Sequence, residues 1–165
     1  MRRLLSALLT VLLGLSFALG TPDDAWAKLP KADQVVVYKA KRIMHLMRKG
    51  WVIRSYHVKL GDKPVGHKVF QYDGRTPEGR YVIDFRNAAS QFHRSLRISY
   101  PRPEDIARAK RYRQSPGGDI FIHGTPGEGG KYDGDWTNGC IAVKNHEIEE
   151  IWAAVDDGTP IEIRP

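Results

Sequence analysis

Short runs of alternating apolar residues, each closed by glycine, proline or charged residues, recur along most of this sequence. Pairs such as Val35/Val37, Trp51/Ile53 and Tyr56/Val58 have the period of two that is typical of strands with one buried face. The predicted strands cover residues 35–38, 43–47, 51–60, 66–72, 81–85, 96–100, 119–123 and 159–164. So many short strands in a chain of 165 residues predict a single, mostly β domain.

Helical patterns are fewer and come late in the chain. Pro103 is placed to be the first residue of a helix ending near Arg113, and acidic residues follow it in the first turn. A second helix is predicted for residues 146–155, with Asn145 as its N-cap. Its apolar face is formed by Ile148, Ile151, Trp152 and Val155. We therefore expect one or two short peripheral helices on a β-rich core.

The first 27 residues have the organisation of a secretory signal peptide. A basic start is followed by 17 apolar residues, 4–20, and then by Ala25-Trp26-Ala27, a small-x-small cleavage pattern. Residues 18–20 offer a second cleavage site. Cleavage predicts a periplasmic or envelope protein whose domain covers residues 28–165. The alternative is a retained anchor, because 17 apolar residues lie at the lower edge of membrane-spanning length, and membrane contact is expected only through this segment.

The charge balance favours anionic partners. The chain has 26 basic and 19 acidic residues, a net charge of +7. Nucleic acid is not the predicted partner, since the protein is predicted to be exported and its charges are scattered along the chain. A carboxylate-rich polymer of the cell envelope fits both the charge and the compartment.

A single cysteine, Cys140, is unusual for an exported protein, because cysteines in oxidising compartments are generally paired. Two interpretations follow from the residue alone: a buried small hydrophobe, or a reactive thiol. A thiol nucleophile needs a nearby base. His123 ends a predicted strand at Gly124, and Gly139 allows a tight turn before the thiol, so His123 and Cys140 are a candidate pair.

The remaining histidines are interpreted as surface or packing residues: His45, His57, His67, His93 and His146. One cysteine with dispersed histidines lacks the close spacing of a zinc site. No metal and no cofactor are predicted.

Three motifs carry a resemblance to a known family. Ile122-His123-Gly124-Thr125, Thr137-Asn138-Gly139-Cys140-Ile141 and the preceding Thr76-Pro77-Glu78-Gly79-Arg80-Tyr81 resemble the signature of the YkuD-type L,D-transpeptidases. The resemblance covers roughly residues 34–164. It implies a β-rich catalytic domain that transfers acyl groups on peptidoglycan stem peptides, with Cys140 as nucleophile and His123 as general base.

Further roles follow for the residues around this pair. The backbone amides of Gly139 and Cys140 are candidates for the oxyanion hole, and a carbonyl near Gly124 is expected to orient the imidazole. Thr137 is a candidate to bond the backbone near the thiol, and Gly124 and Thr137 are also candidate substrate-binding residues. Trp136 is a candidate lining residue above the stem peptide, with packing as the alternative.

One departure from the family pattern leaves the acyl acceptor open. Many relatives have arginine where this chain has Ala142, and Arg94 is a candidate substitute for binding a substrate carboxylate, the alternative being a solvated charge. Residues 135–143 and 92–101 are similar to a proteobacterial subgroup that includes an enzyme detaching a lipoprotein from peptidoglycan. Amidase activity on a wall-linked lipoprotein is therefore one alternative. A non-catalytic wall-binding domain is another, although it would need neither His123 nor Cys140.

Overall fold

The computed structural model describes residues 29–127 and 132–165, so the predicted signal peptide lies outside the described residues. The strands within them are β1 (Gln34–Tyr38), β2 (Ile43–Arg48), β3 (Trp51–His57), β4 (Gly79–Ser90), β5 (His93–Ile98), β6 (Phe121–His123), β7 (Ile141–Ala142) and β8 (Pro160–Arg164). The helices are α1 (Pro103–Arg111) and α2 (Asn145–Ala154). The predicted mostly β fold with two short helices is confirmed.

The strands form one sheet in the order β3-β2-β1-β8-β4-β5-β6-β7. The pairs β1/β8 and β6/β7 are parallel, and the other neighbours are antiparallel. The long strand β4 joins the two halves: residues 79–82 pair with β8, and later residues pair with β5 across register shifts. A bulged strand bends and twists more strongly, so β4 is where the sheet turns towards β6 and β7.

Helix α2 covers the half of the sheet that carries the predicted site. It contacts β5 and β6, and Ile148 and Ile151 are fully buried in the core, as the apolar face of the predicted helix requires. The predicted N-cap is wrong by one residue. Lys144 is the capping position, and its amide donates to the Glu147 carboxylate at 2.8 Å, while Asn145 belongs to the helix. None of the helices within the described ranges is both long and apolar enough to cross a bilayer.

Residues 58–78, here called the anchored loop, depart most from the predicted strands. The predicted strand at 51–60 ends at His57, and the strand predicted for 66–72 does not form. Instead Lys68 is 2% exposed and its Nζ lies 2.9 Å from a carboxylate oxygen of Asp73. Lys39 enters the loop from beyond β1 and donates to the Thr76 carbonyl at 2.9 Å and to Glu78 at 2.8 Å. Buried ion pairs therefore replace sheet pairing in this region.

Candidate active site

Strand register places His123 and Cys140 on one face of the sheet. In the parallel pair β6/β7, Ile122 lies beside Ile141 and His123 beside Ala142. Successive side chains of a strand alternate between faces. Ile122 and Ile141 are fully buried in the core, so His123 and Cys140, the residue just before β7, project from the opposite face.

Both residues line a cavity of about 310 Å³. Its walls come from the tip of the β4–β5 hairpin and from the end of β6, and its lining residues are Asn87, Ser90, Gln91, Phe92, Ser95, Asp119, Phe121, His123 and Cys140. A smaller cavity of about 110 Å³ on the side of the anchored loop also includes Asp119 and Cys140. The thiol therefore lies where two cavities meet.

The imidazole of His123 is held as a neutral base. Only 3% of the residue is exposed, with the Phe92 ring centroid 4.5 Å away and the Trp136 ring edge-on at 5.7 Å. Nδ1 lies 2.6 Å from the Gly124 carbonyl oxygen, which can only accept, so Nδ1 carries the proton and Nε2 keeps a lone pair. Burial lowers the pKa of His123 below 6.5, and the bond to Gly124 opposes this only in part.

The thiol of Cys140 is half-buried and also neutral. Sγ donates to the Asp119 carbonyl at 3.5 Å. Burial raises the pKa of Cys140 above 9.0, against the opposing effects of a hydrogen bond from the Phe121 amide and of the Lys68 charge. Since the pKa of His123 is lowered and that of Cys140 is raised, a neutral thiol and a neutral imidazole are the favoured forms of the two side chains.

The turn before the thiol is fixed by Thr137 and Gly139. The Thr137 hydroxyl donates to the Cys140 carbonyl at 2.8 Å and accepts from the Gly139 amide at 3.2 Å. Gly139 has φ +116°, and a Cβ there would lie 2.5 Å from the Arg75 carbonyl oxygen. The Gly139 amide is thus engaged by Thr137. The Cys140 amide donates to no protein acceptor in the described part of the chain.

Trp136 and Gly124 contribute by packing around the imidazole. The Trp136 ring packs at a tilt against Tyr132, with ring centroids 4.7 Å apart, and against Phe92, and it meets His123 edge-on. A Cβ at Gly124 would lie 2.4 Å from Asn145 Oδ1. That oxygen accepts from the Thr125 amide at 2.7 Å. Asn145, predicted only as a cap, therefore holds the turn that follows His123.

The structure does not bring Arg94 to the cavity. Its neighbour Ser95 pairs with His123 and lines the cavity, so Arg94 faces the other side of β5. There its Nε lies 3.0 Å from Glu149, and its guanidinium lies 5.0 Å from the centre of the Trp152 ring. Ala142 is 1% exposed, pairs with both β6 and Lys59, and does not line the cavity.

Two residues near the thiol were missed by the sequence analysis. Lys68 lines the smaller cavity with Cys140, and its charge partly opposes the rise in the thiol pKa that burial causes. Asp135 accepts two hydrogen bonds from Arg42, at 2.9 and 2.7 Å through one oxygen, and one from the Leu60 amide at 2.9 Å. Asp135 could have been identified as a charged residue inside the glycine-rich motif. No local sequence pattern indicates that Lys68 is buried near the thiol. In the described ranges, no group of three His, Cys, Asp or Glu side chains is placed to hold a metal.

Comparison with known proteins gives one family match and several similar structures. The model of the YkuD family, the L,D-transpeptidase catalytic domain, matches residues 32–163. No curated protein matches the chain. Pgp2, the helical cell shape determining protein of Campylobacter jejuni, is 25% identical with a TM-score of 0.60, over 82% of this chain and 50% of that one.

Two more distant structures share the fold. The L,D-transpeptidase of Xylanimonas cellulosilytica is 16% identical with a TM-score of 0.56, over 81% of this chain and 61% of that one. An L,D-transpeptidase from Mycobacterium smegmatis is 13% identical with a TM-score of 0.53, over 80% and 58%. The chain therefore spans about half to three-fifths of the length of these solved relatives.

Proposed function

Because the chain belongs to the YkuD family of L,D-transpeptidase catalytic domains, we propose that it is an exported cysteine acyltransferase that acts on peptidoglycan stem peptides in the cell envelope. One observation carries the proposal: a half-buried thiol shares a cavity with an imidazole whose Nδ1 is held by a carbonyl and whose Nε2 is left basic. A thiol kept only for packing would need no oriented base beside it.

The first half-reaction forms a thioester. As Nε2 of His123 takes the thiol proton, Sγ of Cys140 bonds to the carbonyl carbon at the L-centre of the diamino acid residue. The tetrahedral intermediate then collapses, and the bond from that carbon to the nitrogen of the terminal D-residue breaks. His123 returns its proton to the departing amine, which leaves the acyl group on sulfur.

The Cys140 amide is the proposed oxyanion donor. It precedes the strand residues of β7 and is held in place by the Thr137 hydroxyl, which bonds the carbonyl of the same residue. A donor fixed before the reaction stabilises developing negative charge without reorganisation. Thr137 and Gly139 are therefore proposed as positioning residues.

The second half-reaction resolves the thioester. An amine from a second stem attacks the acyl carbon, loses a proton to His123 and displaces the Cys140 thiolate, which His123 then reprotonates. Water in the same position would give hydrolysis, the outcome expected of an amidase. The neutral resting state of both side chains suits this cycle, since His123 is a base at the start of each half-reaction.

The proposal is tested with the full chain and disaccharide tetrapeptides, with products and protein masses measured by mass spectrometry. We expect loss of the terminal D-residue, an acyl adduct on Cys140, and cross-linked or shortened peptides. Cys140→Ala should give neither adduct nor product, and His123→Ala should be slower by about 10²- to 10⁴-fold.

His45→Ala is the matched histidine control, because His45 lies on β2 and bonds Ser55; it should keep wild-type turnover. Turnover by Cys140→Ala at the wild-type rate would falsify the mechanism. Cross-linked products identify an amine acceptor, and tripeptides identify water.

A further inference from the structure

A third cavity, of about 380 Å³, opens on the outer side of the anchored loop and is larger than the cavity that contains His123. We call it the aromatic cavity. Its main lining residues are Lys63, Phe70, Tyr72, Asp73, Arg75 and Tyr112. Tyr72 also lines the small cavity that reaches Cys140. The aromatic cavity is therefore next in line from the thiol, on the side away from His123.

Two of its three aromatic rings are exposed to solvent, although burial would stabilise them more. Tyr72 is 80% exposed and Tyr112 is 59% exposed, and the Phe70 ring lies 6.1 Å from that of Tyr112. Tyr72 also has φ +66°, a left-handed conformation that costs a residue other than glycine about 1–2 kcal/mol. Large rings presented to solvent at such a cost are characteristic of recognition surfaces.

The cavity is positively charged. Lys63 is exposed and Arg75 half-buried, and in the described ranges neither forms an ion pair. The carboxylate of Asp73 does not compensate for them, because it is taken by Lys68 at 2.9 Å and by the Val69 and Arg75 amides at 2.7 and 3.1 Å. Two cations beside exposed rings fit a ligand that has both sugar rings, whose C–H faces pack on aromatics, and carboxylates.

Backbone contacts join this cavity to the turn that presents the thiol. The Arg75 carbonyl packs against Gly139, where no Cβ would fit. The Asp62 amide donates to the Thr137 carbonyl at 3.1 Å, and the Lys63 amide to the Gly74 carbonyl at 2.9 Å. A ligand group held in the aromatic cavity would therefore have a fixed position relative to Cys140.

We propose that the aromatic cavity binds the sugar and a carboxylate-bearing residue of the same peptidoglycan stem whose scissile bond lies at Cys140. This inference rests on the proposed function. A stem peptide is joined to its sugar close to the scissile bond, and three extended residues span only roughly 10 Å. The sugar must then lie near the thiol, and this cavity combines exposed ring faces with two cations that form no ion pair within the described residues. Tyr72 stacks on the sugar, and Arg75 and Lys63 bind the peptide carboxylate.

The test measures binding to the full chain in the Cys140→Ala background, so that no turnover occurs. Two probes are compared by calorimetry: a disaccharide tetrapeptide and the same tetrapeptide without sugar. Tyr72→Ala should weaken binding of the disaccharide peptide about 2- to 12-fold and leave the free peptide unchanged. Arg75→Gln should weaken both probes. Trp51→Ala and Arg48→Gln, which change exposed residues on the far strands β3 and β2, should alter neither.

Equal effects of Tyr72→Ala on the two probes, or no effect on either, would overturn the inference. The result is independent of the proposed reaction. If the wild-type chain forms no thioester but Tyr72→Ala selectively weakens binding of the sugar-bearing probe, the cavity assignment stands and the proposed function fails. If thioester forms and the two probes respond alike, the reverse holds.

Discussion

The two sides of the thiol are held in place by different kinds of interaction. On the His123 side, the wall is made of strand register and ring packing: β5 pairs with β6, and Phe92 and Trp136 enclose the imidazole. On the other side, the anchored loop has little sheet pairing. It is held by Lys68 and Asp73, both almost fully buried, and by Lys39 bonded to the loop carbonyl of Thr76.

The two sides therefore affect different properties of the site: the protonation of the imidazole and the position of the thiol. The side with His123 controls the protonation of the imidazole, since burial there lowers the pKa of His123. The anchored loop controls where the thiol stands, because Arg75 packs against Gly139 and the Asp62 amide bonds Thr137. Changes on the loop side should therefore appear first in stability and geometry, and changes on the histidine side in pH dependence.

The largest expected effect is the loss of the buried carboxylate in Asp73→Ala. This leaves Lys68 buried without its partner, and breaking a buried pair from one side costs about 3–5 kcal/mol. Chemical denaturation at pH 7 measures the free energy of unfolding. Asp157→Ala is the matched control, because Asp157 is exposed and forms no ion pair within the described residues; it should change stability by less than about 0.5 kcal/mol.

The stability lost in Asp73→Ala should depend on pH in a direction set by the pKa of Asp73. Burial raises the pKa of Asp73, but hydrogen bonds from the Val69 and Arg75 amides and from Lys68 outweigh it, so the pKa ends below its ordinary 3.8. A lowered folded-state pKa stabilises the fold above pH 3.8 and ceases to do so as the pH falls through the folded value. The gap between wild type and Asp73→Ala should thus be full at pH 7 and shrink below pH 3.8. A gap that widens on acidification would contradict this account of the loop.

The next effect tests how tightly the anchored loop packs on the turn before Cys140. Gly139→Ala forces a residue with a side chain into φ +116° and places its Cβ 2.5 Å from the Arg75 carbonyl oxygen. Gly158 also has a positive φ, +88°, but a Cβ added there would have no atom within 4 Å. Gly158→Ala therefore measures the cost of the backbone conformation without a steric clash. Gly139→Ala should be less stable than Gly158→Ala by about 1–3 kcal/mol, the cost of overpacking. Equal losses by denaturation would mean that the loop is not tightly packed on the turn.

The strands and the turn on the histidine side were predictable from the sequence, and the anchored loop was not. Period-two alternation reflects burial of one strand face, so it identified β1 and the strand ending at His123, and the motif residues around Cys140 follow from short-range turn chemistry. The strand predicted for 66–72 was wrong because Lys68 and Asp73 are buried as a pair, and pairing depends on tertiary contacts that no local pattern encodes. Arg94 was placed by charge alone, yet its strand parity, set by Ser95 facing His123, turns it towards Glu149. The sequence therefore predicted the motif residues around Cys140, but it did not predict the buried ion pair that holds the anchored loop.

The smallest expected effect lies on the histidine side and concerns protonation only. Phe92→Ala removes a half-buried ring 4.5 Å from the imidazole and admits water, so the pKa of His123 should rise towards 6.5. Because the neutral imidazole is the proposed base, the acid limb of kcat/KM against pH should move to higher pH, with little change above neutrality. NMR titration of the His123 ring protons gives the same shift without relying on activity. Phe85→Ala removes an exposed ring on β4, the strand that precedes the turn containing Phe92, and should leave the titration unchanged. A His123 titration that stays put or moves to lower pH in Phe92→Ala would show that ring packing is not what keeps the base neutral.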